Sequence, residues 1–482
     1  MEQWPNTSSN ISSQNINFCL NELEDLDSDK VYVDDLIKNS KSFPISFPVD
    51  SVKAEKLRLN GISDRVLERN INSAYPILHE AALPLFYQFL KFKRRFGSRV
   101  EKKFYKNFTV FQLINRLLLK RAVVFYGKVD KFMLMDGVLN AGNWEIIGTD
   151  KEAAPRTLEN CLSYDEIKLS ALLSVSSYTY FINDGNRNNM GRFDRNREEV
   201  MESGVIIGLI GARFCKPDVM EYQEIIISKE QNVHGKGYGK NLVPTLPGLF
   251  INFYGGSSLT YEEMKHEFSN TKKYTRLRDE KYFNNEIYLK RLSLSIDTLL
   301  LEANERGLEA QKLVFVHVVG FGLGVWRASS HQTKLFMRCF CRRLRFLSNT
   351  LANISDVRFS YISETSCGIY KHQDLMPIEG HVNGGIKIHI IDKNPHEKLL
   401  KADKEKLLVV SYAWDGNSLP GNEFWLGELD ASGDPAAACS TQIAELHNPH
   451  INSRVRAANL RIATLSGLEK FPDYMRKFQN LQ

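Results

Sequence analysis

Apolar side chains recur at helical spacing through residues 52–136, as in Ala82, Leu83, Leu85, Phe86, Phe89 and Leu90, with basic residues filling the positions between them. That period predicts helices that each bury one stripe, so residues 51–150 read as a helical subdomain. Beyond Cys161 the pattern changes to short, almost continuous apolar runs at residues 204–211, 224–228, 313–319 and 407–411, each followed by a polar or glycine-rich segment. Runs of this length without alternation are strands covered on both faces. Helical periods at residues 290–306 and 333–351 lie between them. The expected fold class is therefore α/β, a doubly wound layer sandwich over residues 151–460. Ahead of the helical subdomain, residues 1–50 read as a mobile arm and linker, because the first thirty are rich in Asn, Ser and acidic side chains. Residues 461–482 read as a C-terminal tail.

Composition narrows the class. With 482 residues, 43% hydrophobic and 25% charged, the chain has ample material for a large core. A formal net charge of +6 favours anionic ligands without demanding nucleic acid. The basic run at residues 91–103 has no interleaved aromatic and glycine pattern, so it reads as a solvated helix face and no nucleic-acid partner is expected. Seven cysteines, an odd number without a CxxC pair, argue against a disulfide framework and a zinc site and suit a reducing, cytoplasmic setting. No apolar run approaches the roughly 18 residues that span a bilayer, and the N-terminus lacks a secretory pattern.

Sheets of this type bind ligands beyond the carboxyl ends of their strands, which directs attention to four loops. The first, residues 180–191, packs Asn183, Asp184 and Asn186 with glycine and arginine; it suits a nucleoside or ribose and equally a surface turn. In the second, Glu221 and Gln223 occupy alternate positions and point the same way if the segment is extended, either toward a sugar hydroxyl or adenine amine or along one solvated edge. The third follows a buried strand and precedes a helix: Gly320, Phe321, Gly322, Leu323, Gly324, Val325 and Trp326. Glycines there let backbone N–H groups approach a diphosphate, although a tight turn needs them as well. It is not a GxGxxG fingerprint, which disfavours a nicotinamide dehydrogenase. The fourth holds Asp415, Asn417, Asn422, Glu423 and Trp425, followed by Asp434, which is either an acid of the site or the cap of an alanine-rich helix. No HExxH and no GxSxG occurs, so neither a zincin site nor a serine nucleophile elbow is expected.

The ordered string SYDEIKLSALL, FINDGNRNNMG, GARFCKP, MEYQ, VHVVGFGLGVW, SYAWDGNSLPGNEFW and SGDPAAACST resembles a family of macrodomain-like ADP-ribosyl hydrolases that includes the Legionella effector MavL. More loosely it is similar to poly-ADP-ribose glycohydrolases. The resemblance implies a macrodomain-like α/β/α layer sandwich that takes ADP-ribose as ligand or product and removes it from protein side chains. Arginine-linked ADP-ribose on ubiquitin is the implied substrate. No further cofactor or metal is implied, and the implied location is cytoplasmic, or the host cytosol for a bacterial effector. The catalytic role carries over to Asp415, Glu423 and Asp434. Hydrolysis at the ribose anomeric carbon passes through an oxocarbenium-like state, which Asp415 is expected to stabilise while Glu423 or Asp434 activates water. A reader that binds without cleaving, or a protein-interaction scaffold, is the alternative.

Overall fold

A computed structural model describes residue 4 and residues 30–194, 196–240, 243–269 and 272–479. Apart from Trp4 and Lys30, the expected N-terminal arm lies outside the described residues. The following segment carries a helix, Val33–Ser42, where the polar composition suggested a linker. Its Ser40 hydroxyl donates to the buried Glu445 carboxylate at 2.6 Å, which fastens it to the far end of the chain.

The fold is mixed α/β around one ten-stranded sheet. Its strands, in chain order, are β1 (Tyr75–His79), β2 (Leu173–Tyr180), β3 (Ser203–Leu209), β4 (Val314–Val318), β5 (Ile354–Phe359), β6 (Leu375–Pro377), β7 (Gly385–Ile390), β8 (Leu407–Ala413), β9 (Arg461–Thr464) and β10 (Gly467–Lys470). Across the sheet they run β6-β7-β5-β4-β8-β3-β2-β1-β9-β10. The five strands from β7 to β3 are mutually parallel, with Val316 beside Val409 and Val409 beside Val205. The runs at 204–211, 313–319 and 407–411 supply three of these five. Uninterrupted Val, Ile and Leu sit there because both faces of a central parallel strand are covered.

Antiparallel strands close both flanks: β6 on β7, and β2 between β3 and β1. Strand β1 comes from the segment read as a helical subdomain, and β9, β10 and the helix Phe471–Gln479 come from the segment read as a tail. Both ends of the chain therefore complete the sheet. The run at 224–228 behaves differently. Met220 takes φ +53, Tyr222–Ile225 forms one helical turn, and only Ile226–Ile227 is extended, in a separate small sheet.

One face carries the helix Asn285–Ala310, which packs on β1 to β5 and β8 to β10. At about 1.5 Å per residue a helix of this length crosses most of such a sheet. It is buried almost throughout and includes Asp297, which takes a bidentate pair from Arg343 at 2.6 Å, and Glu302, which takes Arg306 at 2.7 Å. The helix His331–Phe346 supplies Arg343 and packs along it. On the other face Ser177 of β2 meets His447 at 3.0 Å and the Thr179 hydroxyl accepts from the Gln442 amide. This face is covered by the helix Gly433–Ser440, the turn Ile443–Leu446 and an apolar cluster of Phe181, Val200, Phe315, Leu399, Leu408 and Val410. Among the described residues no helix is long and apolar enough to cross a membrane.

Candidate active site

Three of the four loops meet at the carboxyl ends of three adjacent parallel strands. After β3 come Gly211 and Arg213, after β4 comes residues 320–326, and after β8 come Asp415, Gly416 and Asn417. They enclose a cleft that is also lined by Ile167, Ala171, Met220, Glu221 and Trp326, with Phe125 contributed from far upstream. The loops after β3 and β4 touch through glycine. A Cβ on Gly211 would stand 2.4 Å from both Cα and N of Gly322, and Gly322 itself takes φ +75. Side chains at either position would force the two loops apart.

In the β4 loop the roles divide. Phe321 is buried with its ring centroid 5.0 Å from that of Phe336, so it anchors the loop in the core. Gly320 accepts from the Leu323 amide at 3.0 Å and shapes the turn. Among the described residues the amides of Gly322, Gly324, Val325 and Trp326 have no protein acceptor. Such a row of unsatisfied donors beyond a strand end suits an oxyanion. Val325 is 85% exposed at the rim. Trp326 forms a wall of the cleft, with the Arg213 guanidinium 5.8 Å from its ring and 4.7 Å from the Phe125 ring. That guanidinium is held by the Gly127 carbonyl at 3.1 Å and Asp130 at 3.3 Å.

The acidic loop is built by fixed hydrogen bonds. The Trp414 amide donates to Leu209 at 2.9 Å, so Asp415 is the first residue off the sheet. The Asp434 carboxylate accepts from the Asp415 amide at 3.0 Å and the Gly421 amide at 2.8 Å. Asp434 thus bridges two turns of the acidic loop, and the cap of its own helix is Ser432. The Asp415 carboxylate accepts from the Asn422 side-chain amide. Asn422 takes φ +42 and clamps the Val124–Tyr126 strand, accepting from the Phe125 amide at 2.8 Å and donating to its carbonyl at 3.2 Å. Glu423 is buried, with Ser432 as a distant donor at 3.5 Å. Behind the loop Arg121 is buried. It donates to the carbonyls of Gly416 at 2.6 Å, Ser170 at 3.0 Å and Leu117 at 3.2 Å, and stacks on Trp414.

Burial sets the charge state of these acids. It raises Asp415 to about 7, reinforced by the Glu423 charge and opposed by the Asn422 hydrogen bond and Arg213. Burial likewise lifts Asp434 well above the usual carboxylate range, with Asp415 adding to it against two backbone donors. Glu423 is raised too, chiefly by burial. Like charges packed in a dry site do not all ionise near neutrality, so the cluster holds protons there. Beside it Asn417 is 3% exposed, and neither its side-chain nitrogen Nδ2 nor its side-chain oxygen Oδ1 has a partner among the described residues. A buried primary amide in a cleft wall with both its polar atoms unsatisfied is an exception to the usual pairing of buried polar groups.

The remaining expected residues lie elsewhere or serve the scaffold. The first loop packs against the segment before helix Gly433–Ser440 and the helix itself. Asn183 donates to Asn189, Arg192 and Cys439, while Asp184 accepts from Asn394 at 2.7 Å and from the Asn186 amide at 2.9 Å. None of the three lines the cleft. Glu221 and Gln223 do not point the same way, because the segment is a helical turn. Glu221 faces the cleft and meets Arg291 at 3.4 Å, whereas Gln223 accepts from Lys168 at 3.0 Å and donates to the Asp218 carbonyl. Trp425 donates to the Pro420 carbonyl and packs on Phe43 and Phe47, in the core. Arg121 and Phe125 were not legible as site residues, because nothing in their local pattern announces a partner beyond residue 410. Arg213 stood in a quoted motif, and its position just past a buried strand was the available signal.

A family model described as ADP-ribosylhydrolase MavL-like matches residues 34–477. Two Drosophila melanogaster proteins are similar over most of their length. ADP-ribosylarginine hydrolase CG2909 is 42% identical over 443 residues, covering 89% of this chain and 86% of that protein. ADP-ribosylarginine hydrolase CG3568 is 44% identical over 454 residues, covering 91% and 87%. The chain belongs to the MavL-like ADP-ribosylhydrolase family.

Proposed function

We propose that the cleft hydrolyses the N-glycosidic bond between ADP-ribose and a protein arginine side chain, on a macrodomain-like scaffold. The observation that carries this reading is the gathering of Asp415, Glu423 and Asp434 at the end of β8, next to a loop of unpaired amides and the unpartnered Asn417. The diphosphate would rest on the amides of Gly322, Gly324, Val325 and Trp326, and the distal ribose would meet Asn417. The scissile bond then falls at Asp415. A substrate arginine brings a guanidinium to the same place, and a cluster of partly ionised carboxylates suits a cation better than a neutral ester linkage.

As the C1–N bond breaks, positive charge develops on the ribose ring and the Asp415 carboxylate stabilises it. The guanidine departs with the bonding electron pair, and a second carboxylate of the cluster, Glu423 or Asp434, takes a proton from the attacking water. The two fly relatives, each named an ADP-ribosylarginine hydrolase, favour arginine as the linkage, and the resemblance favours ubiquitin as a target in the cytoplasm. Incubation with arginine-ADP-ribosylated ubiquitin, followed by mass spectrometry of protein and nucleotide, tests the reading. Release of free ADP-ribose with restoration of unmodified ubiquitin is the expected result; tight ADP-ribose binding without release would identify a reader.

The glycine contact gives a separate expectation for binding. Gly211→Ala places a methyl group against Gly322 and separates the two loops. Calorimetry with ADP-ribose should show at least about tenfold weaker affinity, corresponding to 1.4 kcal/mol, while the far-ultraviolet circular dichroism spectrum stays unchanged. Unaltered affinity would remove the β4 loop from the binding site.

A further inference from the structure

Away from the cleft, two cysteines are brought close together by a glycine turn. Cys341 lies on the helix His331–Phe346, and Cys367 on the short strand Ser366–Cys367, which pairs with Tyr370–Lys371 around a tight turn. The turn seats Gly368 at φ +65 directly on the first thiol: a Cβ there would stand 2.3 Å from Cys341 Sγ and 2.9 Å from its Cβ. Only glycine permits both the left-handed conformation and the close approach. Cys367 immediately precedes that glycine, so the hairpin sets the second thiol beside the first. Cys367 Sγ also lies 3.6 Å from the Met337 carbonyl, one turn before Cys341 on the same helix.

The surroundings are cationic and open to a cavity. Arg345 donates to the Tyr370 hydroxyl at 3.2 Å and so spans helix and hairpin. Cys341 borders a cavity shared with Lys290, Arg342 and Arg345. Cys339, on the same helix, borders the same cavity but is held by other partners. It bonds Ser293 and the Leu289 carbonyl, and burial pushes it up to about 12.

We propose that Cys341 and Cys367 form a dithiol that hydroperoxides oxidise to an intramolecular disulfide, with Cys341 as the attacking sulfur. The Cys341 thiolate attacks the terminal peroxide oxygen. The O–O bond breaks, the departing alkoxide takes a proton from solvent and leaves as an alcohol, or as water when hydrogen peroxide is the oxidant, and Cys341 becomes a sulfenic acid. Cys367 sulfur then attacks Cys341 sulfur and expels hydroxide, which leaves as water with the Cys367 proton. Two thiols and one hydroperoxide become one disulfide, one alcohol and one water. Hydrogen bonding from Cys367 and the neighbouring arginines lower the Cys341 thiol to about 6, so the attacking form predominates at neutral pH.

The test uses the full chain, reduced, freed of reductant, treated with one equivalent of hydrogen peroxide, alkylated with iodoacetamide and digested for mass spectrometry. The expected result is a parallel loss of the Cys341 and Cys367 peptides from the alkylated pool and the appearance of one cross-linked species, with Cys161, Cys339 and Cys439 still alkylated. In Cys367→Ser the same treatment with dimedone should label Cys341 as its sulfenic acid. Full alkylation of both cysteines while the half-buried Cys215 is oxidised would overturn the proposal. So would the absence of a dimedone adduct in a Cys367→Ser protein whose circular dichroism matches the parent.

Discussion

Asp415→Asn should lower turnover of arginine-linked ADP-ribose by about 10³-fold while leaving ADP-ribose affinity within a factor of a few, and should at the same time raise the thermal midpoint above neutral pH. The two effects share one cause. A carboxylate raised to about 7 is an anion kept out of water. The folded state binds its proton more tightly than the unfolded chain does, so between the ordinary carboxylate range and about pH 7 the folded protein holds more protons, and stability falls as pH rises through that window. Above it the whole penalty is present, and replacing the carboxylate with a neutral amide removes it. Catalysis has the opposite sign. The oxocarbenium-like state needs the anion, so kcat/KM in the parent should rise about tenfold per pH unit up to roughly 7 and then level off. Turnover measured from pH 5 to 9, beside melting curves over the same range, checks both. A pH-independent rate in the parent would take Asp415 out of the chemistry.

Arg121→Ala should destabilise the protein by about 3 kcal/mol and cost about 10²-fold in kcat, although Arg121 does not line the cleft. Its guanidinium satisfies three buried carbonyls, and its Gly416 contact sets the backbone between Asp415 and Asn417. Burial lowers its pKa to about 9, so the charge is already expensive to hold and its net contribution is smaller than three charged hydrogen bonds would suggest. What dominates in the variant is the loss of donors to the Ser170 and Leu117 carbonyls, since the Gly416 carbonyl keeps the Ser170 hydroxyl at 3.1 Å. Arg121→Met keeps most of the packing against Trp414 and should recover part of the stability with little of the rate. Urea unfolding and steady-state kinetics on both variants separate the two contributions. Equal recovery of stability and rate would mean that Arg121 acts through packing alone.

The legible parts of the molecule were those whose physics is local. Residues 204–211, 313–319 and 407–411 announced themselves because a strand covered on both faces has no polar alternation to hide it. Asp415 and Asn417 followed, since they sit directly beyond one of these runs. Strand β1 was not legible: its sequence Tyr-Pro-Ile-Leu-His is five residues with a proline, set among helices, and its place is decided by β2 and β9. The first loop stayed open between two readings for a related reason. Asparagine and aspartate side chains that would suit a ribose suit backbone turns equally, and Asn183, Asp184 and Asn186 are consumed by such bonds. Composition cannot separate the two uses. The residues 224–228 looked extended because three isoleucines follow one another, yet the buried ion pair of Glu224 with Lys168 joins a helical turn.

The clamp between Asn422 and Phe125 joins residues 297 positions apart, and Ala122 pairs with Ser418 beside it. A chain leaving the ribosome therefore exposes its hairpin and its glycine loops long before the acids that face them exist. Strand β1 waits longer still for β9. Most of the sheet has the means to form first, but the reaction centre closes only once Asp434 has been made. Premature termination before Asp434 should then yield a chain able to collapse yet unable to cleave.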